Sequence, residues 1–398
     1  MLQPVTMLHC AAAASVVACA LHWWWSRHRR GPPFLSSPLR SPRTTAGHSA
    51  GGFEMWAGHA RAELDAKAKP VGSLGTLEEW AVTLCAVQRT LSPKAGPASL
   101  MVFCADHGLK QAHAGVSPYP HDVTAHIFRA LAEGSAAAAV LAEMCGAHLT
   151  VCDVGIASDV RRVVGSNGVR VCHEKIAHGS RDLVAHEALD DKMLDLALRA
   201  GKRVAAYEAL TRGALILCVG EVGIGNTTTA AALLCALSGA SPSECVGRGT
   251  GVDDVGLELK REVVRMALSR HAAVEKEPRA LLAALGGLEI AAMVGAYLEA
   301  PKHGCVVLVD GFIASVAALA AVQMEPTCRR HMLFATRSAE RGMQILSTAL
   351  NVRPALDMGL RLGEGSGAAL ALPLVRAAAA LMGMARLDEV LAAGSKAC

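Results

Sequence analysis

Two short segments place a carboxylate where glycines give a ligand close access. In RLGEGSGAALALP, which begins at Arg361, Glu364 sits among small residues with an apolar run directly behind it. In GEVGIGNTTTAAAL, which begins at Gly220, Glu221 precedes a glycine loop. A lone carboxylate is costly to desolvate, yet an apolar wall on one side raises its basicity. Such a group can take a proton from a substrate N–H within hydrogen-bond reach. The bland alternative for Glu364 is a carboxylate at a helix N-terminus, favoured by the macrodipole.

The glycine loop comprises Gly223, Ile224, Gly225, Asn226 and Thr227. Glycines let backbone N–H groups approach an anion, and a helix N-terminus favours negative charge. The spacing mimics a P-loop, but Asn226 stands where the lysine for the β and γ phosphates belongs. That argues against an NTPase and suits a ligand with one phosphate. A plain tight turn is the competing reading, and spacing alone leaves both open. A second loop, GRGTGVDD from Gly247, leads toward Lys260. Lysine serves phosphate as a point charge; a solvated surface lysine is the alternative.

These residues must be positioned by something. SLMVFCADHG, AHLTVCDVGIA, GALILCVGEVGIG, CVVLVDGFIA and HMLFATRSAERG read as short buried strands ended by Gly, Asp or Ser. Ala/Leu-rich helical runs follow most of them. The alternation predicts an α/β fold, a doubly wound, Rossmann-like and mostly parallel sheet. Ligands of such sheets sit beyond the carboxyl ends of the strands, so Asp106, Asp153, Glu221, Asp310 and Ser338 are expected to converge. The flanks differ. Residues 54–95 look helical, interrupted by KPVGSLGTLEEW, with Thr76 expected to cap the restarted helix. Residues 370–398 look helical again, with Pro373 near the start. The flanks are expected to build a small helical subdomain around a body at about 96–369.

Composition narrows the classes. The 398 residues carry a net charge of +4 with 19% charged residues, and no basic stripe interleaved with aromatics. Nucleic acid is therefore not an expected partner. The thirteen cysteines include no CxxC pair, which argues against a disulfide framework or zinc ribbon and for buried thiols in a reducing compartment. HEKIAH, His173 to His178, spaces its histidines about 140° apart on a helix, so it is not a zincin face. No metal and no cofactor are expected. Residues 1–53 contain no Asp or Glu, and 7–25 are nearly all apolar, followed by SRHRR. This is a leader, either for targeting to an organelle or for membrane attachment through 7–25. Residues 54–398 are expected to form the functional domain.

Taken in order, KPVGSLGTLE, ADHGLKQAHAGVSPYPHDVT, DVGIA, GEVGIGNTTTAAAL, GRGTGVDD, GGLEIAAMVGAYL, VLVDGFIASVAALAA, SAERG and LRLGEGSGAALALP resemble the nicotinate-nucleotide–dimethylbenzimidazole phosphoribosyltransferases, which make the lower-ligand nucleotide of cobalamin. The resemblance covers about residues 63–389. It implies transfer of a ribose phosphate from nicotinate mononucleotide to a benzimidazole nitrogen, with Glu364 as general base and Glu221 as the second active-site carboxylate. It further implies that Gly223–Thr227 hold the phosphate with Lys260 nearby, and that Ser338, Arg361, Leu362 and Gly363 line the nucleotide site. Asp310 joins them as a strand-end residue. A homodimer is implied as well. One departure is Arg337, which precedes Ser338 where the family often has histidine. Two rival readings are a dinucleotide-dependent oxidoreductase, which needs an acid about 20 residues after the loop and finds only Glu244, and a non-catalytic nucleotide-binding or membrane-scaffold protein.

Overall fold

The computed structural model describes residues 50–394, all within the compact unit Thr45–Cys398. The leader and the apolar stretch 7–25 lie outside the described residues. Strands β1 (Ala98–Ala105), β2 (Ala147–Gly155), β3 (Arg170–His173), β4 (Ile216–Val222), β5 (Val306–Val309) and β6 (Met332–Phe334) form one sheet. Its order is β3-β2-β1-β4-β5-β6, and every pairing is parallel. This is the doubly wound order, in which the chain reverses direction across the sheet between β1 and β4.

The strands are apolar throughout because helices cover both faces. β1, ASLMVFCA, is buried at every position. Alternate side chains go to opposite faces: Met101, Phe103, Leu217, Val219 and Val309 join the core under helices Asp191–Leu210, Asn226–Ser238 and Leu288–Glu299. Leu100, Val102, Ile216, Cys218 and Leu308 join the other core, with Trp80, Phe128 and Leu372. β3 was not expected. It is a four-residue edge strand, partly solvated, so RVCH carries no apolar run to reveal it.

The helical flanks meet and form one layer over the sheet. Lys67 and Arg386 make an isolated antiparallel bridge, and Glu63 accepts 2.7 Å hydrogen bonds from both side chains. Two local expectations need correction. Thr76 is not the cap but the first helical residue; Gly75, at φ 51°, precedes it without a side-chain cap. The Glu78 carboxylate instead accepts the Leu74 N–H at 2.9 Å. The C-terminal helix begins at Ser366 rather than Leu370, so Pro373 lies inside it. Proline has no N–H to donate to the carbonyl four residues earlier.

The described cysteines are all buried. No described helix is long and apolar enough to cross a membrane.

Candidate active site

The two carboxylate segments come together by backbone contact. Gly363, Glu364 and Gly365 all take left-handed φ, at 85°, 61° and 74°. Glutamate is rarely found there, and such strain clusters at functional sites. The turn lies flat on the end of β4: the Glu364 N–H donates to the Glu221 carbonyl at 3.1 Å. A Cβ on Gly220 would overlap the Gly365 amide, and one on Gly363 would come within 2.5 Å of Glu221 Oε1. Glycine at 220 and 363 therefore allows the two acidic residues to share one wall.

Glu364 is 6% exposed. Its Oε2 accepts the Ala138 N–H at 3.3 Å, from the first turn of helix Ala137–Met144. Burial raises its pKa above the ordinary carboxylate value, with the Ala138 hydrogen bond opposing. Glu221 is pushed well above that value by burial and by the charges of Glu289, Asp310 and Glu364; a hydrogen bond from the Asn226 amide opposes. Asp310 is pushed up to about 7 by burial. Its oxygens accept from the N–H groups of Ala368 at 3.0 Å and Gly365 at 3.2 Å, so it anchors the start of the helix behind Glu364.

On the opposite side, Gly225 sits at φ 101° before helix Asn226–Ser238. The Lys260 ammonium is 1% exposed and donates to Thr227 Oγ1 at 2.9 Å. Burial lowers its pKa to about 8, against the nearby Glu340 charge. Among the sequence alternatives for Lys260, the surface reading fails. A buried ammonium beside a helix N-terminus can hold an anion. Affinity for a phosphate-bearing ligand should therefore fall as pH rises through about 8, because Lys260 then loses its charge. A pH series of kcat/KM for the nucleotide checks this, and Lys260→Ala should abolish that limb.

A cleft open at its mouth gathers Glu221, Asn226, Thr227, Asp310, Ser338, Arg361, Leu362 and Gly363. Arg361 donates to the Gly249 carbonyl at 3.1 Å, tying the GRGTG loop to the Glu364 turn. Leu362 stands out at the lip, 53% exposed. Gly223, Ile224, Gly225, Lys260 and Glu364 lie around the cleft rather than in its lining. The strand ends do not all converge. Glu221, Asp310 and Ser338 meet, whereas Asp106 and Asp153 spend oxygens on the turn after β2, accepting from the N–H groups of Ala157 and Ile156, both at 2.8 Å. Arg337 points away from the cleft to Asp357 at 3.0 Å, while Ser338 still lines it.

A family model described as a phosphoribosyltransferase matches residues 54–390. The chain is 45% identical over 339 residues to a nicotinate-nucleotide–dimethylbenzimidazole phosphoribosyltransferase of Chromobacterium violaceum, covering 85% of this chain and 96% of the relative. A Pseudomonas putida protein of the same name is 44% identical, covering 84% and 93%. This chain belongs to the nicotinate-nucleotide–dimethylbenzimidazole phosphoribosyltransferase family. A solved Thermus thermophilus structure of that name superposes with a TM-score of 0.78 at 37% identity, covering 84% of this chain and 98% of its own. A second Thermus thermophilus structure, titled CobT, gives 0.79 at 38%, again covering 84% and 98%.

Membership in this phosphoribosyltransferase family agrees with the local chemistry and not with the rivals. Glu244, the acid a dinucleotide site would need, forms a capping box with Ser241. Sequence reasoning assigned no role to Glu340, His107 or Glu289. Glu340 lines the cleft and was legible as the acid of SAERG. His107 and Glu289 lie 182 positions apart, so spacing carried no signal.

Proposed function

We propose that this protein transfers the 5-phosphoribosyl group from nicotinate mononucleotide to 5,6-dimethylbenzimidazole, giving alpha-ribazole 5'-phosphate and nicotinate. The observation that carries the reading is the shared wall, where Glu364 and Glu221 are held together by the 3.1 Å backbone hydrogen bond. The phosphate rests on the loop Gly223–Thr227 with Lys260 behind Thr227, which fixes the ribose. Positioning of this kind is worth on the order of 7–11 kcal/mol at best.

One benzimidazole nitrogen attacks the anomeric carbon as the glycosidic bond to the pyridinium breaks, and nicotinate leaves with the bonding pair. The other nitrogen gives its proton to Glu364. Positive charge grows on the ribose, as in glycoside hydrolysis, and Glu221 faces it. Burial and the surrounding carboxylates favour the protonated form of Glu221. A pyridinium cation arriving nearby reverses that preference.

Because Glu364 must be ionised to accept the proton, kcat should fall on the acid side, at a pH above the range of an ordinary glutamate. The direction follows from its raised pKa. A kcat–pH series with both substrates saturating checks it.

Chromatography of the reaction tests the function. Nicotinate release that requires both substrates, with ribazole phosphate formed in equal amount, is expected. Absence of product with active-site-competent protein contradicts it.

Homodimerisation and attachment or targeting through 7–25 belong to the same reading, supported by the resemblance and by the leader's composition. So does the division into 1–53 and 54–398. Light scattering of the purified chain and sequencing of its mature N-terminus test these points.

A further inference from the structure

Beneath the glycine loop lies a buried histidine–carboxylate pair that the transfer chemistry above does not use. His107 and Glu289 are each 0% exposed, and His107 Nε2 meets Glu289 Oε1 at 2.8 Å. On the other side, His107 Nδ1 lies 3.1 Å from Thr229 Oγ1 and 3.5 Å from Ser180 Oγ. Burial disfavours the imidazolium, but the charge and hydrogen bond of Glu289, and the charge of Asp106, outweigh it and raise the pKa of His107. The ring bridges a carboxylate on one side and a hydroxyl on the other.

The ring is also a spacer. A Cβ on Gly223 would lie 2.5 Å from the Ala105 carbonyl oxygen and 3.1 Å from His107 Nε2, and one on Gly287 would lie 2.6 Å from His107 Cε1. Glycine at 287 makes room for the imidazole, and glycine at 223 for the ring together with the Ala105 carbonyl. Thr229 is in the first turn of the helix that starts at Asn226. The Asn226 amide holds Glu221, and the Asn226 N–H donates to the Gly223 carbonyl at 3.1 Å. The loop's outer side is tied by the Ile224 N–H, which donates to Thr124 Oγ1 at 3.2 Å. Its inner side rests on His107 and the Ala105 carbonyl.

We propose that His107 and Glu289 form a buried brace that fixes the glycine loop and, through Asn226, the Glu221 carboxylate, making both of them positioning residues for the nucleotide end of the reaction. This rests on the transferase reading above. The Glu364 side is anchored separately, by Ala138 and by the contact with Gly220, so the brace does not govern the incoming base.

The test uses His107→Gln, Glu289→Gln and the double variant. Removing one partner of a buried pair leaves the other uncompensated, whereas a neutral pair restores much of the stability. The singles should lose thermal stability, and the double should regain most of it. The kinetic defect should persist in the double, because a glutamine chain does not fill the space of the planar ring. A loop displaced by an ångström costs up to about a hundredfold in turnover. The expected result is lower kcat and higher KM for nicotinate mononucleotide, with KM for the base unchanged. Activity that returns together with melting temperature, or KM values for both substrates that rise equally, overturns the proposal. Thr229→Val provides the same comparison without disturbing the ion pair, and wild-type kinetics in it also count against the brace. Calorimetric binding of nicotinate mononucleotide keeps the two claims apart. If wild type binds the nucleotide but never transfers it, the transferase reading fails. If the double variant then binds as tightly as wild type, the brace fails by itself.

Discussion

Glu364→Gln is expected to lower kcat by about 10²- to 10⁴-fold, the range that a positioned general base contributes, while nucleotide affinity stays at the wild-type level. Glutamine keeps the length and shape of the side chain and has the same backbone requirements at φ 61°. It can still accept the Ala138 N–H through its amide oxygen, so the turn and the wall it shares with Glu221 survive. What goes is the proton acceptor. Without it the azole must attack while keeping its second proton, and the product carries a positive charge that position 364 no longer offsets. Single-turnover rates beside calorimetric nucleotide binding separate the loss of chemistry from any loss of binding. Equal turnover by both proteins would remove Glu364 from the mechanism.

Gly220→Ala should be nearly as damaging by a different route. The added methyl has no free direction, because it would overlap the Gly365 amide and the Glu364 carbonyl carbon. Those atoms are backbone and cannot rotate aside. Either β4 or the Gly363–Gly365 turn must move, and with it the geometry of both carboxylates. Overpacking of this kind costs roughly 1–3 kcal/mol of stability, and a displaced turn removes most of the activity even in protein that folds. Gly58→Ala is the control. Nothing lies within 4 Å of its Cβ and it sits in a helix, so alanine should stabilise by roughly 0.5–1 kcal/mol. Thermal melts and kcat of the pair check both statements. A Gly220→Ala protein with wild-type kcat would mean that the close approach is not needed.

The same contacts explain how far the sequence could be read. Glu221 and Glu364 were visible because each sits in a glycine-flanked segment whose composition already signals close approach. The parallel sheet was visible in apolar runs punctuated by Gly, Asp and Ser. The order of strands was not, and this is why Asp106 and Asp153 were grouped with the site. They end β1 and β2, on the β3 side of the switch between β1 and β4, and close a local turn instead. Lys260 was ambiguous because nothing local distinguishes a buried lysine from a solvated one; its ammonium meets Thr227, 33 positions earlier in the chain. His107 and Glu289 were hidden for the same reason. Their meeting depends on the Leu288–Glu299 helix crossing under β1, a tertiary event that no spacing rule encodes.

The most direct test of the account is the structure of the enzyme with nicotinate mononucleotide and the benzimidazole both bound. The account predicts a Glu364 carboxylate oxygen about 2.6–3.2 Å from the azole nitrogen that must lose its proton, with the other nitrogen facing the anomeric carbon and the phosphate on the Gly223–Thr227 loop. A Glu364 side chain turned into solvent, or an azole bound beyond the reach of one intervening water, would contradict it.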